Sequence, residues 1–409
     1  MTINSEKWIQ SLPNEWSITK IGNHFKCRNE KVNDTDHPPL SVAKQGVVPQ
    51  IETVAKTDAN DNRKLVLMND FVINSRSDRK ESCGLSKLNG SVSLINHVLY
   101  QNGQDYYMPF VGILFKNYGF AEEFYRWGHG IVADLWTTRW QEMKNIEIPL
   151  PPLKEQKLIF DFLINRTSKI DQLISNQEKQ IEKLKEYRQA IITKAVTKGL
   201  DPNVPMKDSG VEWIGKIPCN WEILRLKYCF SVRNEKYENG NYDYVALENV
   251  ESFSGKYIAT ESNAFYSLAE TIRANRNDVI FGKLRPYLSK AFLIAKDCYV
   301  SSEFAVLYGL GGNRTSFLKY LLISSKFINV INSSTYGTKM PRANIDFIRN
   351  LEIAIPDVKT QKEIVNYLDE TCSKIDWLID VKVKKIAQLS NYKKNLIYEY
   401  VTGKKRVSL

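Results

Sequence analysis

Nine side chains in polar turns carry the chemistry that this sequence offers most openly. They are Lys44 and Gln45 in SVAKQGV, Arg76, Arg79 and Lys80 in NSRSDRKESCG, Lys283 and Arg285 in FGKLRPY, and Lys339 and Arg342 in GTKMPRAN. All but the amide are cations, so the set suits hydrogen-bond donation to anions or base edges rather than proton transfer. Arg and Lys favour guanine O6 and N7, and Gln favours adenine. Taken one at a time, a solvated charge or a phosphate contact is the simpler role. Arg285 stands before Pro286-Tyr287 and Arg342 follows Pro341, and in both places proline stiffens the turn that presents the charge. These two are the foremost candidates.

Catalytic patterns do not accompany them. The sequence has no G-x-x-x-x-G-K-[ST] phosphate loop. It also lacks an N-P-P-Y or D-P-P-Y loop to grip a flipped adenine; Asp36-His37-Pro38-Pro39-Leu40 comes nearest, with an inserted histidine and no terminal aromatic. His24, His37, His97 and His129 show no metal spacing. Cys27, Cys83, Cys219, Cys229, Cys298 and Cys372 form no C-x-x-C pair and read as reduced structural thiols. Glu155-Gln156-Lys157 reads as a helix surface. Neither a catalytic residue nor a metal site is expected in this chain.

The elements that must position those turns follow from size and repetition. At 409 residues, with 43% hydrophobic and 25% charged, the chain is globular and large enough for two to four domains. No apolar run reaches the roughly 18 residues needed to span a bilayer. Met1–Lys7 lacks the zones of a secretory signal, so a cytoplasmic protein without a membrane partner is expected. A formal charge of +11 favours polyanionic partners, through release of condensed counterions.

A tandem duplication organises the whole chain. WIQSLPNEWSITKIGNHFKCRNEK from Trp8 aligns without gaps to WIGKIPCNWEILRLKYCFSVRNEK from Trp213, an offset of 205 residues with 10 of 24 positions identical. Ile146–Leu200 aligns to Leu351–Lys405 at the same offset with 21 of 55 identical. Between these matched ends, residues 32–145 and 237–350 diverge. One scaffold required to read two different things would diverge in this way.

The diverged regions hold β-like runs, LVLMNDFVINSR, YMPFVGILF, YDYVALENV, NDVIFGKLRPYL and KAFLIAKDCYVSSEFAVLYGL, and helices over Gly119–Trp127 and Thr315–Asn332. After Pro152 and Pro356 the patterning predicts a short amphipathic helix and then a longer one, with Ser168 and Ser373 as N-caps. Ile170, Ile174, Ile181 and Leu184 in one copy, and Ile375, Ile379, Ile386 and Leu389 in the other, form an apolar seam on each long helix. The two seams are expected to pair, leaving charged outer faces for partner docking. The linker Thr197–Val211 reads as an extended crossover.

The repeat order, together with DSGVEWIGKIPCNWE, IPLPPLKEQKLI, NDVIFGKLRPYLSK and GTKMPRANIDFIRNLEIAIP, resembles the specificity subunits of Type I restriction-modification systems. The resemblance implies an α+β fold in which two mixed α+β target-recognition domains with curved sheets are joined by two long antiparallel coiled-coil-like helices in a pseudo-two-fold arrangement. Residues 1–150 and 213–355 would be the recognition domains, 151–200 and 356–409 the conserved spacer helices, and 201–212 the linker. The implied role is non-catalytic: reading an asymmetric, bipartite double-stranded DNA target and positioning two modification (methyltransferase) subunits, with two optional restriction/translocase subunits. S-adenosylmethionine, ATP and Mg would bind the partners and not this chain. The first copy departs from the second where Trp136-Thr137-Thr138-Arg139 replaces Pro341-Arg342-Ala343-Asn344, which puts loop contacts in the first copy in doubt. An alternative from another class is a two-headed protein-interaction scaffold or inhibitor built on the same fold.

Overall fold

The computed structural model describes residues 8–51, 62–130, 136–236, 243–259, 271–337 and 339–407. It forms two compact units, Met1–Gln177 with Lys384–Leu409, and Glu178–Val383. Both boundaries fall inside long helices, so this partition differs from one that sets residues 151–200 and 356–409 apart as segments of their own.

In the first unit a four-stranded antiparallel sheet runs in the order Phe25–Cys27, Asn96–Gln101, Phe71–Asn74, Cys83–Leu85. A three-stranded sheet places Arg63–Val66 between Lys31–Val32 and Gly90–Ser93. Val66, Val72, Val92 and Val98 from both sheets, with Leu40 from the hairpin Leu40–Ala43 and Gly46–Pro49, form an apolar cluster. The second unit repeats the four-stranded sheet, while its three-stranded sheet places Cys298–Ser301 between Tyr244–Val245 and Thr271–Ala274. Its four-stranded sheet runs Phe230–Arg233, Phe304–Gly309, Val279–Gly282, Ala291–Leu293, and its cluster holds Val245, Ile280, Val300 and Val306. Strand register confirms the equivalence: Phe71 pairs with Leu99 and Ile73 with His97 in one, Val279 with Leu307 and Phe281 with Ala305 in the other.

YMPFVGILF, expected as a strand, is a helix over Met108–Leu114. Pro109 fits the first turn, where its missing N–H costs nothing, and Phe110, Val111 and Leu114 share a buried face at helical spacing. The expected helix Thr315–Asn332 is split into Thr315–Leu322 and Ser325–Ser333.

The two helices expected after each proline are continuous, Leu153–Lys198 and Val358–Val401. Ser168 and Ser373 are therefore not N-caps. Ser168 lies mid-helix, where its hydroxyl donates to the Asn165 carbonyl three residues back. The second helix is capped by Asp357, whose Oδ1 accepts from the amides of Lys359 and Thr360 at 2.9 and 3.0 Å. Hydrogen bonds from the Thr360 hydroxyl and amide hold that carboxyl below its usual range. The Gly403 cap is backbone-driven: it has φ +76°, and a Cβ there would lie 2.5 Å from Pro13 Cδ.

Within each unit the helix segments run antiparallel. In the first, the Phe162 and Tyr400 rings pack 4.7 Å apart, tilted by 40°, and Lys393 Nζ reaches Asp171 Oδ1 at 2.6 Å. In the second, Lys382 Nζ donates to Gln180 Oε1 at 2.5 Å and Arg188 Nε lies 3.1 Å from Asp376. Ile170, Ile181 and Ile375 are buried, and Ile174, Leu184, Ile379, Ile386 and Leu389 are half-buried, so every seam position lies on a covered face. The linker begins at Gly199 and contains a strand, Met206–Asp208, paired with Lys216–Pro218.

A buried glutamine joins each sheet domain to its helix. Gln156 accepts from the Tyr107 amide at 2.8 Å and donates to the Asp105 and Pro151 carbonyls. Gln361 accepts from the Arg314 amide at 2.9 Å and donates to Asn313 Oδ1 and the Pro356 carbonyl. Each side-chain amide thus pairs with a backbone amide at the start of a helix, which has no partner within the helix itself. The residue read as helix surface in Glu155-Gln156-Lys157 is in fact fully buried.

Candidate nucleic-acid interface

The candidate loops are aimed from below. Before the strands Phe71–Asn74 and Val279–Gly282 the chain reverses at Asn69 and Asn277, both with φ 70°, a left-handed conformation that asparagine tolerates. Asp70 and Asp278 follow, both buried. Asp70 accepts from Arg28 Nε at 3.1 Å and Asp278 from Arg233 Nε at 2.8 Å. Each carboxylate also accepts a backbone amide at 2.8 Å, from Leu67 and Asn275 respectively. The guanidinium groups lie over the rings of Tyr100 and Tyr308 at 4.7 and 4.9 Å. Asp70 and Asp278 hold both arginines further above their ordinary value. This frame fixes the strand, and with it the loop at its far end.

Those loops, residues 75–80 and 283–288, share one backbone pattern. Ser77 donates its amide to Trp136 O at 2.9 Å, and Arg285 donates to Pro341 O at 2.7 Å. Thr138 and Ala343 donate back to Ser75 O and Lys283 O at 3.1 and 2.8 Å. Thr137 bridges Arg76 and His129, as Arg342 bridges Leu284 and Tyr336. The departure between WTTR and PRAN therefore leaves these bridging bonds in place, while the loops themselves differ: the tight turn is Ser77–Arg79 in one and Pro286–Leu288 in the other, and of the aligned residues Ser77 and Arg285 only Arg285 is left-handed.

In the second unit the structure brings Lys283, Arg285, Lys339 and Arg342 onto one pair of bonded segments. Arg285 is exposed with φ 51° and ψ 61°, a strained left-handed conformation for a residue with a Cβ. Arg342 Nη2 donates to Glu303 Oε1 at 2.5 Å. Lys283 is half-buried; burial lowers its ammonium pKa, Glu303 opposes that shift and Arg342 adds to it. Lys339 is exposed. In the first unit Arg76, Arg79 and Lys80 share the equivalent loop, all exposed. Arg79 Nε lies 3.5 Å from Asp78, and Lys80 reaches Glu122 at 3.0 Å and the Tyr125 ring at 5.5 Å. Lys44 and Gln45 are exposed at the tip of a separate hairpin, Leu40–Ala43 with Gly46–Pro49.

Several residues of this surface escaped the sequence reading. Tyr287, Tyr336 and Met340 are exposed beside the cations, and Glu303 is the acid between them. Apolar residues flanking Arg285 and Arg342 were the available signal. On the long helices, several exposed apolar side chains, Trp377 at 63% the most exposed, interrupt faces expected to be charged. Leu173 and Leu378, equivalent in the repeat, are 49% and 40% exposed, and the equivalent Tyr187 and Tyr392 are 59% and 58%.

Comparisons with known proteins meet this geometry directly. The model of the Type I restriction modification DNA specificity domain matches residues 137–185 and 220–398, more than half of the chain. The chain belongs to that family. It is 30% identical over 288 residues to the Type I restriction enzyme MjaVIII specificity subunit of Methanocaldococcus jannaschii, across 64% of this chain and 63% of that one. To the EcoDI specificity subunit of Escherichia coli it is 20% identical, covering 64% and 63%. The matches thus span less than two thirds of these relatives. A chain from a structure describing complex assembly and conformational transition of the type I R-M system superposes with a TM-score of 0.72 at 14% identity, covering 96% of this chain and 99% of that one. The HsdS subunit from Thermoanaerobacter tengcongensis gives 0.51 at 15% identity, covering 97% and 99%. The fold is the α+β fold of these subunits, and the relatives are specificity subunits, which does not favour the scaffold alternative. Among the described residues no helix is long and apolar enough to cross a membrane.

Proposed function

We propose that the chain is the non-catalytic DNA-reading subunit of a Type I restriction-modification complex, and that its two loop clusters read the two unlike halves of one double-stranded target. The observation that carries this is the pairing of shared backbone bonds between loop and neighbouring segment with different side chains. Ser75, Ser77 and Thr137 stand where the other unit has Lys283, Arg285 and Arg342. Base edges in the major groove are told apart by donors and acceptors, so changing side chains on a constant backbone changes what is read. Lys44 and Gln45 on their hairpin, and Arg76, Arg79 and Lys80, would serve the first block; Lys283, Arg285, Lys339 and Arg342 would serve the second.

In this reading recognition domains 1–150 and 213–355 each read one block, and the helices of 151–200 and 356–409 set the gap. About one turn of B-DNA, some 34 to 36 Å, would separate blocks of about three to five base pairs, with a gap of about five to eight. Two modification subunits would dock on the helices, because each unit exposes one leucine and one tyrosine at repeat-equivalent positions. Apolar side chains kept exposed in both copies fit two copies of one partner. The partners would bring S-adenosylmethionine, and optional restriction subunits ATP and Mg, all in the cytoplasm.

The test is to co-express the chain with its modification subunit and map N6-methyladenine genome-wide. Two unlike blocks with a fixed gap are expected, and inserting one heptad in each spacer helix should lengthen the gap while leaving both blocks unchanged. A continuous or inverted-repeat motif would overturn the reading.

A further inference from the structure

Glu303 is an odd residue for a surface that meets a polyanion. It stands in the turn between strands Cys298–Ser301 and Phe304–Gly309, its side chain 27% exposed, paired with Arg342 and close to Lys283. Its placement is rigid, because its carbonyl accepts the Lys283 amide at 2.8 Å while the Lys283 carbonyl accepts the Ala343 amide at 2.8 Å. Glu303 and Arg342 thus lie on two segments that are both bonded to the same lysine backbone. Arg342 is itself locked by its two-way bridge to Tyr336.

An ion pair this exposed contributes little to folding stability, and a carboxylate here weakens attraction for phosphates. Neither stability nor affinity explains it. What it does supply is order. A free arginine loses much rotamer freedom on binding, whereas one already held through Nη2 keeps its remaining N–H donors at a fixed angle. The first unit has Ile95 and Thr137 at the equivalent positions, so the pair is not part of the shared frame.

We propose that Glu303 is a positioning residue that pre-orients Arg342 to read a guanine in the second target block. This rests on the DNA-reading role proposed above. Arg342 then acts as the reader, and Glu303 trades general DNA affinity for discrimination at one base pair.

The experiment uses the complex of the full chain with its modification subunit and measures binding to target duplexes and to duplexes altered at single positions, over a range of salt. Glu303→Ala should lower discrimination about three- to tenfold at one position of one block, while raising affinity for unrelated duplex DNA. Glu303→Gln, which keeps an acceptor without the charge and guards against misfolding of the alanine variant, should fall between. Arg342→Ala should lose discrimination at that same position, and adding Glu303→Ala to it should cost no further discrimination. Uniform weakening on every sequence, a loss spread over both blocks, or higher affinity with discrimination intact would each overturn the proposal. If the wild-type complex itself shows no sequence preference, the functional reading falls, and this inference with it.

Discussion

The two loop clusters differ in almost every side chain, yet the same backbone bonds tie each to its neighbouring segment. One carries a buried Ser75 and half-buried Ser77 and Thr137 above His97; the other carries Lys283 and the exposed Arg285 and Arg342 above Ala305. Even the floor compensates, since Ile73 opposite His97 is replaced by Phe281 opposite Ala305, a larger residue facing a smaller one. What stays constant is the support beneath: Asn69, Asp70, Arg28 and Tyr100 against Asn277, Asp278, Arg233 and Tyr308. Backbone hydrogen bonds are indifferent to the side chain that carries them, so a loop held by them can be rewritten freely. A buried carboxylate has no such freedom.

The largest effects should therefore be equal in the two units. Asp70→Ala and Asp278→Ala each take the main carboxylate from a half-buried guanidinium and the acceptor from a backbone amide, a loss of about 2 to 4 kcal/mol, although Arg233 keeps Glu235 at 2.7 Å. Urea unfolding of the two variants checks this. Costs differing by more than about 2 kcal/mol would mean that the frames are not equivalent, and the comparison would fail at its base.

The helix pair should instead break the symmetry. Asp171 and Asp376 are repeat-equivalent, as are their partners Lys393 and Arg188. Lys393 and Asp171 are 30% and 56% exposed, so Lys393→Ala should cost less than about 1 kcal/mol. Arg188 is buried and also donates to the carbonyls of Phe253 and Ser254 at 2.9 and 3.0 Å, clamping a recognition-domain loop to the helix. Arg188→Ala should cost about 1.5 to 3 kcal/mol. Equal costs, measured by the same unfolding, would remove the distinction.

Much of this layout was legible because repetition exposes constraint. The offset of 205 marks the matched ends, and the seven-residue seam marks the face that Ile170 and Ile375 bury. The motif NDF against NDV was also visible, but at an offset of 208, outside the gapless alignment, so Asp70 and Asp278 were not recognised as one residue twice. Gln156 was read as surface because polarity on an amphipathic helix usually faces water; its burial depends on carbonyls and an amide distant in sequence. Ser168 looked like a cap because serine followed by an acid marks helix starts, yet the preceding turn was already helical. Cys219 is exposed, unlike the buried Cys83, whose thiol burial pushes up to about 12, so a structural role was legible for one and not the other. Glu303 carried no signal of its own, since its meaning comes from Arg342, 39 residues away.

The smallest effect concerns the floor of the first cluster alone. His97 Nε2 lies 2.7 Å from the Thr138 carbonyl and so carries a proton, while Nδ1 is buried with no hydrogen-bond partner among the described residues. Burial lowers the pKa of this imidazole; the Thr138 carbonyl and nearby Glu142 favour protonation, and Lys64 opposes it. Above pH of about 6.5 neither the folded nor the unfolded chain protonates this site, and it has no effect on stability. Below that value the unfolded chain takes up a proton that the folded chain refuses, so stability falls, by at most about 1.4 kcal/mol per pH unit. His97→Gln keeps a donor toward Thr138 without a titratable ring. Comparing urea unfolding at pH 7.5 and 5.5, the wild type should lose up to about 1 kcal/mol more than the variant. A matching loss in both proteins would place the acid sensitivity elsewhere, and the first cluster would then be no more pH-dependent than the second, whose Ala305 cannot titrate.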